Sequence, residues 1–352
     1  MPQTTLLAPQ KALPEPQAGS PGPHACASFI EGTLQRLYDT APVLRLNGRD
    51  RLVLFSDLHL GDGGPRDDFR PNALLVEAVL RDYYLARGFS LVLNGDIEEL
   101  QRFRLEAVRA GWEGMFRLFD DFRRTTALYK ITGNHDERLW SHGEREGLLE
   151  APRLSVAGDS IFLFHGHQAT IFFERFNGVA EFFVRSVANA LRIANWPVTY
   201  DSRKRYLHRP LFESLSKIDT LKFRIEQRCR DYASASPPAR SAIEKAIGSF
   251  KEELARLWEK DRRGGLRDSL YDSRLCIPCL FNSGRTIGKR GVTAIEIADG
   301  RIALVHWFDL VRSSRSLARS GASERLGRSD FFRTVLKQDS LAYIFSRRRL
   351  LA

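Results

Sequence analysis

Short apolar runs and longer stretches of mixed apolar and polar positions alternate along this chain. Arg51-Leu-Val-Leu-Phe-Ser, Leu91-Val-Leu-Asn, Leu128-Tyr-Lys-Ile-Thr and Ile161-Phe-Leu-Phe have the length and composition of buried strands. Between them, Asn72–Ala86 and Leu105–Arg124 carry apolar residues at three- and four-residue spacing, which predicts helices. Alternation of this kind predicts βαβ units. Residues 169–265 change character: they read as long helices with breaks near Pro197, Pro210 and Ser236-Pro-Pro238. Leu275–Phe281, Val292–Ile297 and Ile302–Phe308 then return to strand pattern, and Ala298-Asp-Gly300 between the last two marks a hairpin. A helical block therefore interrupts a strand-rich α/β domain that resumes after it. The expected divisions are a disordered leader at 1–26, a first core segment at 27–168, a helical insertion at 169–265, closing strands at 266–311 and a basic tail at 312–352.

Each of the first four runs ends in residues that bind metals. Asp57-Leu-His59 follows the first, Gly95-Asp96 the second, Gly133-Asn-His-Asp136 the third and His165-Gly-His167 the fourth. A divalent transition metal takes imidazole nitrogen and carboxylate oxygen. Asp57 and His59 lie where the chain leaves the strand, so both side chains can turn to one ion. Asp96 on the neighbouring strand can bridge two ions about 3.5–4 Å apart, the spacing of two-metal phosphoester sites. Asn134 offers a carbonyl oxygen and His165 a further nitrogen. Ions so placed generate a hydroxide and clamp phosphate oxygens, leaving His135 free to protonate a leaving group. Taken singly, Asp57, Asp96 and Asn134 would be turn or cap residues, and His165 a hydrogen-bonded core imidazole. Their joint order is what points to a metal centre.

Asp-x-His, Gly-Asp-x-x-Glu, Gly-Asn-His-Asp and a later His, in that order, resemble the calcineurin-like metallophosphoesterases. The resemblance covers about residues 50–168 and resumes at about 275–310, where Phe281-Asn-Ser-Gly284 and the strands after it look like those closing the family's second sheet. It implies a four-layer αββα sandwich and a dinuclear centre of Mn²⁺, Fe or Zn²⁺, with Mn²⁺ first. It implies one metal on Asp57, His59 and Asp96 and the other on Asp96, Asn134 and His165. His135 would be the acid, with Asp136 orienting it. The His-Gly-x turn and the helical insertion look most like the UDP-2,3-diacylglucosamine pyrophosphohydrolases, although that branch carries Arg where His135 stands.

The chain departs from the family in lacking a Gly-His-x-His segment, which would supply one ligand to each metal. Of its eight histidines, His208, in Tyr206-Leu-His-Arg-Pro210, and His167 are the candidates to stand in. Weaker binding of one metal, a substituted role and an inactive relative are the three consequences this leaves open. Glu98 and Glu99 either reach the edge of the site or sit at a helix N-terminus. Cys276-Ile-Pro-Cys279 within a strand run reads as two buried thiols rather than a zinc knuckle.

Composition narrows the setting. The 352 residues are 43% hydrophobic and 28% charged, ordinary globular usage with no membrane-spanning apolar run. Four cysteines do not make a disulfide framework and fit a reducing cytoplasm. The net charge of +11 is concentrated at the end, where ten Lys and Arg from Arg312 onward face only Glu324, Asp330 and Asp339. Interleaved with Phe331, Phe332, Val335, Leu336, Ile344 and Phe345, this suggests an anionic partner, either a lipid surface or nucleic acid. The alternative is a helix-forming segment packed on the core. Phe172, Phe173, Phe176, Phe183, Val187 and Leu191 recur at helical spacing, either as plain packing or as a groove for a lipid-linked substrate. The expected activity is metal-dependent hydrolysis of a nucleotide- or lipid-linked diphosphate. A nuclease and a catalytically impaired binding module are the alternatives.

Overall fold

Leu52, Val53, Leu54 and Phe55 are all buried, as a strand covered on both faces requires. The computed structural model describes residues 23–46, 50–141, 147–156, 158–169, 209–263, 283–284, 286–287, 291–312 and 323–351. Its elements are α1 (Pro23–Thr40), β1 (Val43–Leu46), β2 (Leu52–Phe55), α2 (Ala73–Ala78), β3 (Ser90–Asn94), α3 (Leu105–Gly111), α4 (Glu113–Thr125), β4 (Leu128–Ile131), β5 (Leu148–Leu149), β6 (Arg153–Val156) and β7 (Asp159–Phe162). They continue with α5 (Arg209–Ser234), α6 (Pro237–Arg263), β8 (Val292–Ala298), β9 (Arg301–Asp309), β10 (Ser323–Arg325), β11 (Phe331–Ser340) and α7 (Leu341–Leu351).

The class is mixed α/β with two mixed sheets. The larger has the order β10-β11-β9-β8-β2-β3-β4-β5 and the smaller β1-β6-β7. From β2 through β5 the large sheet is parallel; from β2 outward through β8 it is antiparallel. Alternation along β2 splits the core. Val53 and Phe55 join Leu91, Leu93, Val305 and Trp307 under α2, α3 and α4. Leu52 and Leu54 join Val92, Ile131, Ile295 and Ile302 on the other face. There they meet Leu154 of β6 and the apolar sides of α5, α6 and α7. All three parallel strands β2, β3 and β4 run the same way, so their carboxyl ends open on one edge. Ligands of parallel sheets collect at such an edge.

Several expectations change in detail. The helix over Asn72–Ala86 is a 3₁₀ turn, then α2, then a π-helical stretch over Val79–Tyr84 and a second 3₁₀ turn at Leu85–Arg87. The helix over Leu105–Arg124 breaks at Trp112 (φ −126°, ψ 30°). The break lets Gly111 lie against the Asp62 backbone, where a Cβ would stand only 2.5 Å away. The break near Ser236–Pro238 falls between α5 and α6, with Pro237 opening α6, where its missing N–H costs nothing. The Ala298–Arg301 hairpin has positive φ at Asp299 (51°) and Gly300 (71°), the signature of a type I′ turn. Residues 23–26, expected in the leader, begin α1.

The largest revision concerns 312–352. Its described part is no tail: β11 pairs with β9 along its whole length, with a bulge at Leu336. Leu341, Tyr343, Ile344 and Phe345 are core residues. Four of its basic side chains pair with carboxylates of the fold. Arg333 grips Glu296 bidentately (2.9 and 2.5 Å), Arg347 meets Glu226 (2.8 Å), Arg349 meets Asp159 (3.0 Å) and Arg325 meets Asp330 (3.1 Å). His208, Cys276, Cys279, the Leu275–Phe281 run and the Phe-rich stretch from Phe172 lie outside the described residues. No helix among the described residues is long and apolar enough to cross a membrane.

Candidate metal centre

Just beyond β2 and β3 the chain leaves the strand conformation abruptly. Asp57 (φ 54°), His59 (φ 49°) and Asp96 (φ 55°) all occupy the left-handed region, which non-glycine residues rarely enter. Such outliers persist only where the surroundings hold them, and they gather at functional sites. Here the two loops are stapled to each other. Asp57 N–H donates to the Gly95 carbonyl (3.1 Å), His59 N–H to Asp96 (3.0 Å) and Leu60 N–H to Ile97 (2.8 Å). The staples turn both side chains of Asp57-x-His59 toward Asp96.

Three imidazoles aim Nε2 at one carboxylate. The distances to Asp96 Oδ2 are 3.2 Å from His165, 3.8 Å from His59 and 3.9 Å from His135. His59 Nε2 also lies 3.9 Å from Asp57 Oδ1. The opposite nitrogens are held from behind. His59 Nδ1 meets Glu99 Oε2 at 2.9 Å, His135 Nδ1 meets the same carboxylate at 2.8 Å, and His165 Nδ1 donates to the Asn94 carbonyl at 2.9 Å. A carboxylate or carbonyl on one ring nitrogen is what fixes a histidine's tautomer so that the other can ligate. Glu99 therefore orients two histidines at once, at 5% side-chain exposure. The rings of His59 and His135 pack edge to face, 4.7 Å between centroids.

Among the described residues, donor atoms close enough to share an ion form two sets, Asp57 with Asp96 and His165, and His59 with Asp96 and His135. Asp96 belongs to both. The sequence expectation also had Asp96 shared, but it joined Asp57 to His59 and used His135 only as an acid. Asn134 lies in the same loop, its backbone carbonyl accepting from Gln101 Nε2 at 3.2 Å. His208 lies outside the described residues. His167 stands beside His165, ring centroids 5.6 Å apart, its buried Nδ1 without a partner among the described residues. Burial, then the neighbouring His165, pulls its pKa down to about 4.

Asp136 plays a different part from the one expected. Its carboxylate accepts from Gly133 N–H (2.6 Å) and Ile97 N–H (2.7 Å), fully buried, and so clasps the two ligand loops together. Burial, then Glu98, pushes its pKa up to about 7. Glu99, not Asp136, is the partner of His135. Glu98 turns away, buried against Lys130. Neither glutamate sits at a helix N-terminus, since α3 begins at Leu105. Asp67 accepts from Gly63 N–H, Phe69 N–H and Trp112 Nε1–H, shaping the loop rather than the site.

Glycines make the close approach feasible. A Cβ on Gly95 would stand 2.3 Å from His165 Nδ1, and one on Gly133 would overlap Asp96 Oδ1. The motif glycines are thus fixed by contact with ligands as much as by turn geometry.

The electrostatics suit a cation. Burial raises the pKa of Asp96, but His165, His135 and His59 outweigh it and hold the carboxyl below the usual range. Burial likewise raises the pKa of Glu99, but His135 and His59 outweigh it and take the carboxyl down to about 2. Burial pulls His59 down, yet Asp57, Glu99 and Asp96 carry it up to about 10. His165 rises to about 9 against its own burial, through Asp96. Converging imidazole nitrogens beside buried carboxylates have the donor chemistry of a divalent transition-metal site. No protein-family model and no curated protein matches the chain.

Proposed function

We propose that this chain is a metal-dependent phosphoester hydrolase of the calcineurin-like kind, with the four-layer arrangement that the resemblance implies. One observation carries the reading. Three Nε2 atoms converge on Asp96 Oδ2 while their Nδ1 atoms are tied to Glu99 or to a backbone carbonyl. Convergence of that kind serves ligation; a buried structural histidine needs only one satisfied partner.

Asp57, Asp96 and His165 would hold one divalent ion, and His59 and Asp96 the other, Mn²⁺ being the first choice for both. By resemblance Asn134 stands with Asp96 and His165, in the first set. When bound, such ions neutralise charge growing on phosphoryl oxygens and lower the pKa of water. The chain's own residues do the rest. Asp96 sits between the two sets and keeps them adjacent. Glu99 holds the proton on His59 Nδ1, so that its Nε2 offers a lone pair. His135 is more exposed than His59 and His165, at 26% of its side chain, and its Nδ1 is anchored. It is therefore the group placed to give a proton from Nε2 to a departing oxygen. The Asp57 side chain is 31% exposed, which leaves the same side open to a phosphate.

A phosphodiester or diphosphate is the substrate class this arrangement suits, on a nucleotide- or lipid-linked compound. Pairing of Arg325, Arg333, Arg347 and Arg349 with carboxylates removes part of the basic charge on which the nuclease alternative rests. Metal analysis of the purified protein with Mn²⁺-dependent hydrolysis of bis-p-nitrophenyl phosphate tests the reading. Two ions, with turnover abolished in Asp96→Asn, are expected. Absence of bound metal and of turnover with Mn²⁺, Co²⁺ and Zn²⁺ would refute it.

A further inference from the structure

The peptide linking Ser56 to Asp57 is held at both ends by groups from distant parts of the chain. Its N–H donates to the Gly95 carbonyl at 3.1 Å. Its carbonyl accepts from Thr286 Oγ1, 230 residues downstream. Thr286 is fully buried. Its own carbonyl is fixed by Asn72 Nδ2 at 2.7 Å, and Asn72 is 1% exposed. The Ser56 hydroxyl makes two more links to the same loop, to Ser283 Oγ (2.8 Å) and the Gly284 carbonyl (3.0 Å). Thr293 Oγ1 donates to the Ser283 carbonyl (2.6 Å), closing the loop onto β8. Gly284, at φ 76°, leaves room for that hydroxyl, which a Cβ would overlap.

This matters because Asp57 sits at φ 54°, in the left-handed region that non-glycine residues seldom occupy. Rotation about its N–Cα bond is set by the plane of the preceding peptide. With both ends of that plane pinned, the carboxylate is directed to the side on which His59 and Asp96 lie. Without the Thr286 bond, the Ser56 carbonyl is left buried with one fewer donor, and the plane is free to rock about the remaining N–H bond.

We propose that Thr286 is a positioning residue for Asp57, so that the loop re-entering the core after the helical insertion sets the geometry of a metal ligand. The inference rests on the metal-site reading above for the role of Asp57. Nothing about Thr286 itself suggests ligation: its hydroxyl is committed to the backbone.

The test is equilibrium Co²⁺ binding to the full chain, followed by visible absorption and by metal stoichiometry, on four proteins. Thr286→Val keeps the shape and removes the hydroxyl. One of the two ions is expected to bind about 10- to 100-fold more weakly, the range for lost outer-shell support of a ligand. Thr286→Ser restores the hydroxyl and is expected to restore affinity. Thr293→Val removes a hydrogen bond from the same loop but not from the Asp57 peptide, so it is expected to lower Tm while leaving both affinities unchanged. Should Thr286→Val fail to fold, Thr286→Ser against Thr286→Ala offers the same comparison. Unchanged binding in folded Thr286→Val, or equal weakening in Thr293→Val, would overturn the proposal. A wild-type chain that binds no Co²⁺ would instead overturn the metal-site reading.

Discussion

Replacing Glu99 by Gln tests the shared anchor most directly. The change is nearly isosteric, so packing is retained, but one of two acceptor oxygens becomes an NH₂ donor. Glu99 serves His59 Nδ1 at 2.9 Å and His135 Nδ1 at 2.8 Å. Both Glu99 oxygens face His135 Nδ1, Oε2 at 2.8 Å and Oε1 at 2.9 Å, so a glutamine sets its NH₂ against that ring whichever way it is turned. That ring must then offer its Nδ1 lone pair to the NH₂, which puts its proton on Nε2, the nitrogen that points to Asp96. At 5% side-chain exposure, water has little access to take over the lost acceptor. One charge-assisted hydrogen bond is worth about 1.5–3 kcal/mol, or roughly 10- to 150-fold in a binding constant. Independently, loss of an outer-shell partner weakens metal binding by about 10- to 100-fold. The two routes agree. The assay is competition of a chelator for Mn²⁺ or Co²⁺ at pH 7.5, with hydrolysis measured at saturating metal to separate occupancy from turnover. Full affinity and full turnover in Glu99→Gln would refute the reasoning, because nothing would then depend on the tautomers that Glu99 imposes.

Gly133→Ala puts a methyl group onto Asp96 Oδ1 and 2.5 Å from the Asp96 backbone nitrogen. A loss of about 1–3 kcal/mol in urea denaturation is expected, together with reduced metal content; wild-type values of both would mean that the two loops are looser than described. The pH dependence of the metal-free protein follows from His59 and His165, raised above 6.5 to about 10 and about 9. Raised values mean that their contribution is complete below pH 6.5 and fades as pH climbs through 9 to 10. Tm of the metal-free protein should therefore fall on the alkaline side of neutrality, and less so in His165→Asn. Saturating Mn²⁺ should flatten the curve, since the ion takes the protons' place; a metal-free Tm that rises over that range would contradict this.

The turns that carry Asp57, Asp96, His135 and His165 were legible in the chain because strand ends leave local marks. A run such as Leu91-Val-Leu-Asn stops at Gly95-Asp96, and the glycine and carboxylate are visible without any partner. Parallel strands of that composition also announce a sheet buried on both faces, and Asp299-Gly300 announces its own turn. Local sequence thus determined the strands, the hairpin and which residues stand at the edge of the sheet. It did not determine who faces whom. Glu99 and Glu98 are adjacent and chemically alike, yet one anchors two imidazoles and the other is buried on Lys130. Asp136 sits beside His135 in sequence but clasps Gly133 and Ile97. The segment from Phe331 reads as basic and amphipathic, and only pairing with β9 makes it an inner strand of the large sheet. Thr286 carries no mark at all, since its partner lies 230 residues away. Strand formation is local, because backbone pleat and side-chain alternation act over a few residues. The orientation of a ligand depends on hydrogen bonds and packing among segments far apart in the chain, which exist only once the sheet has closed.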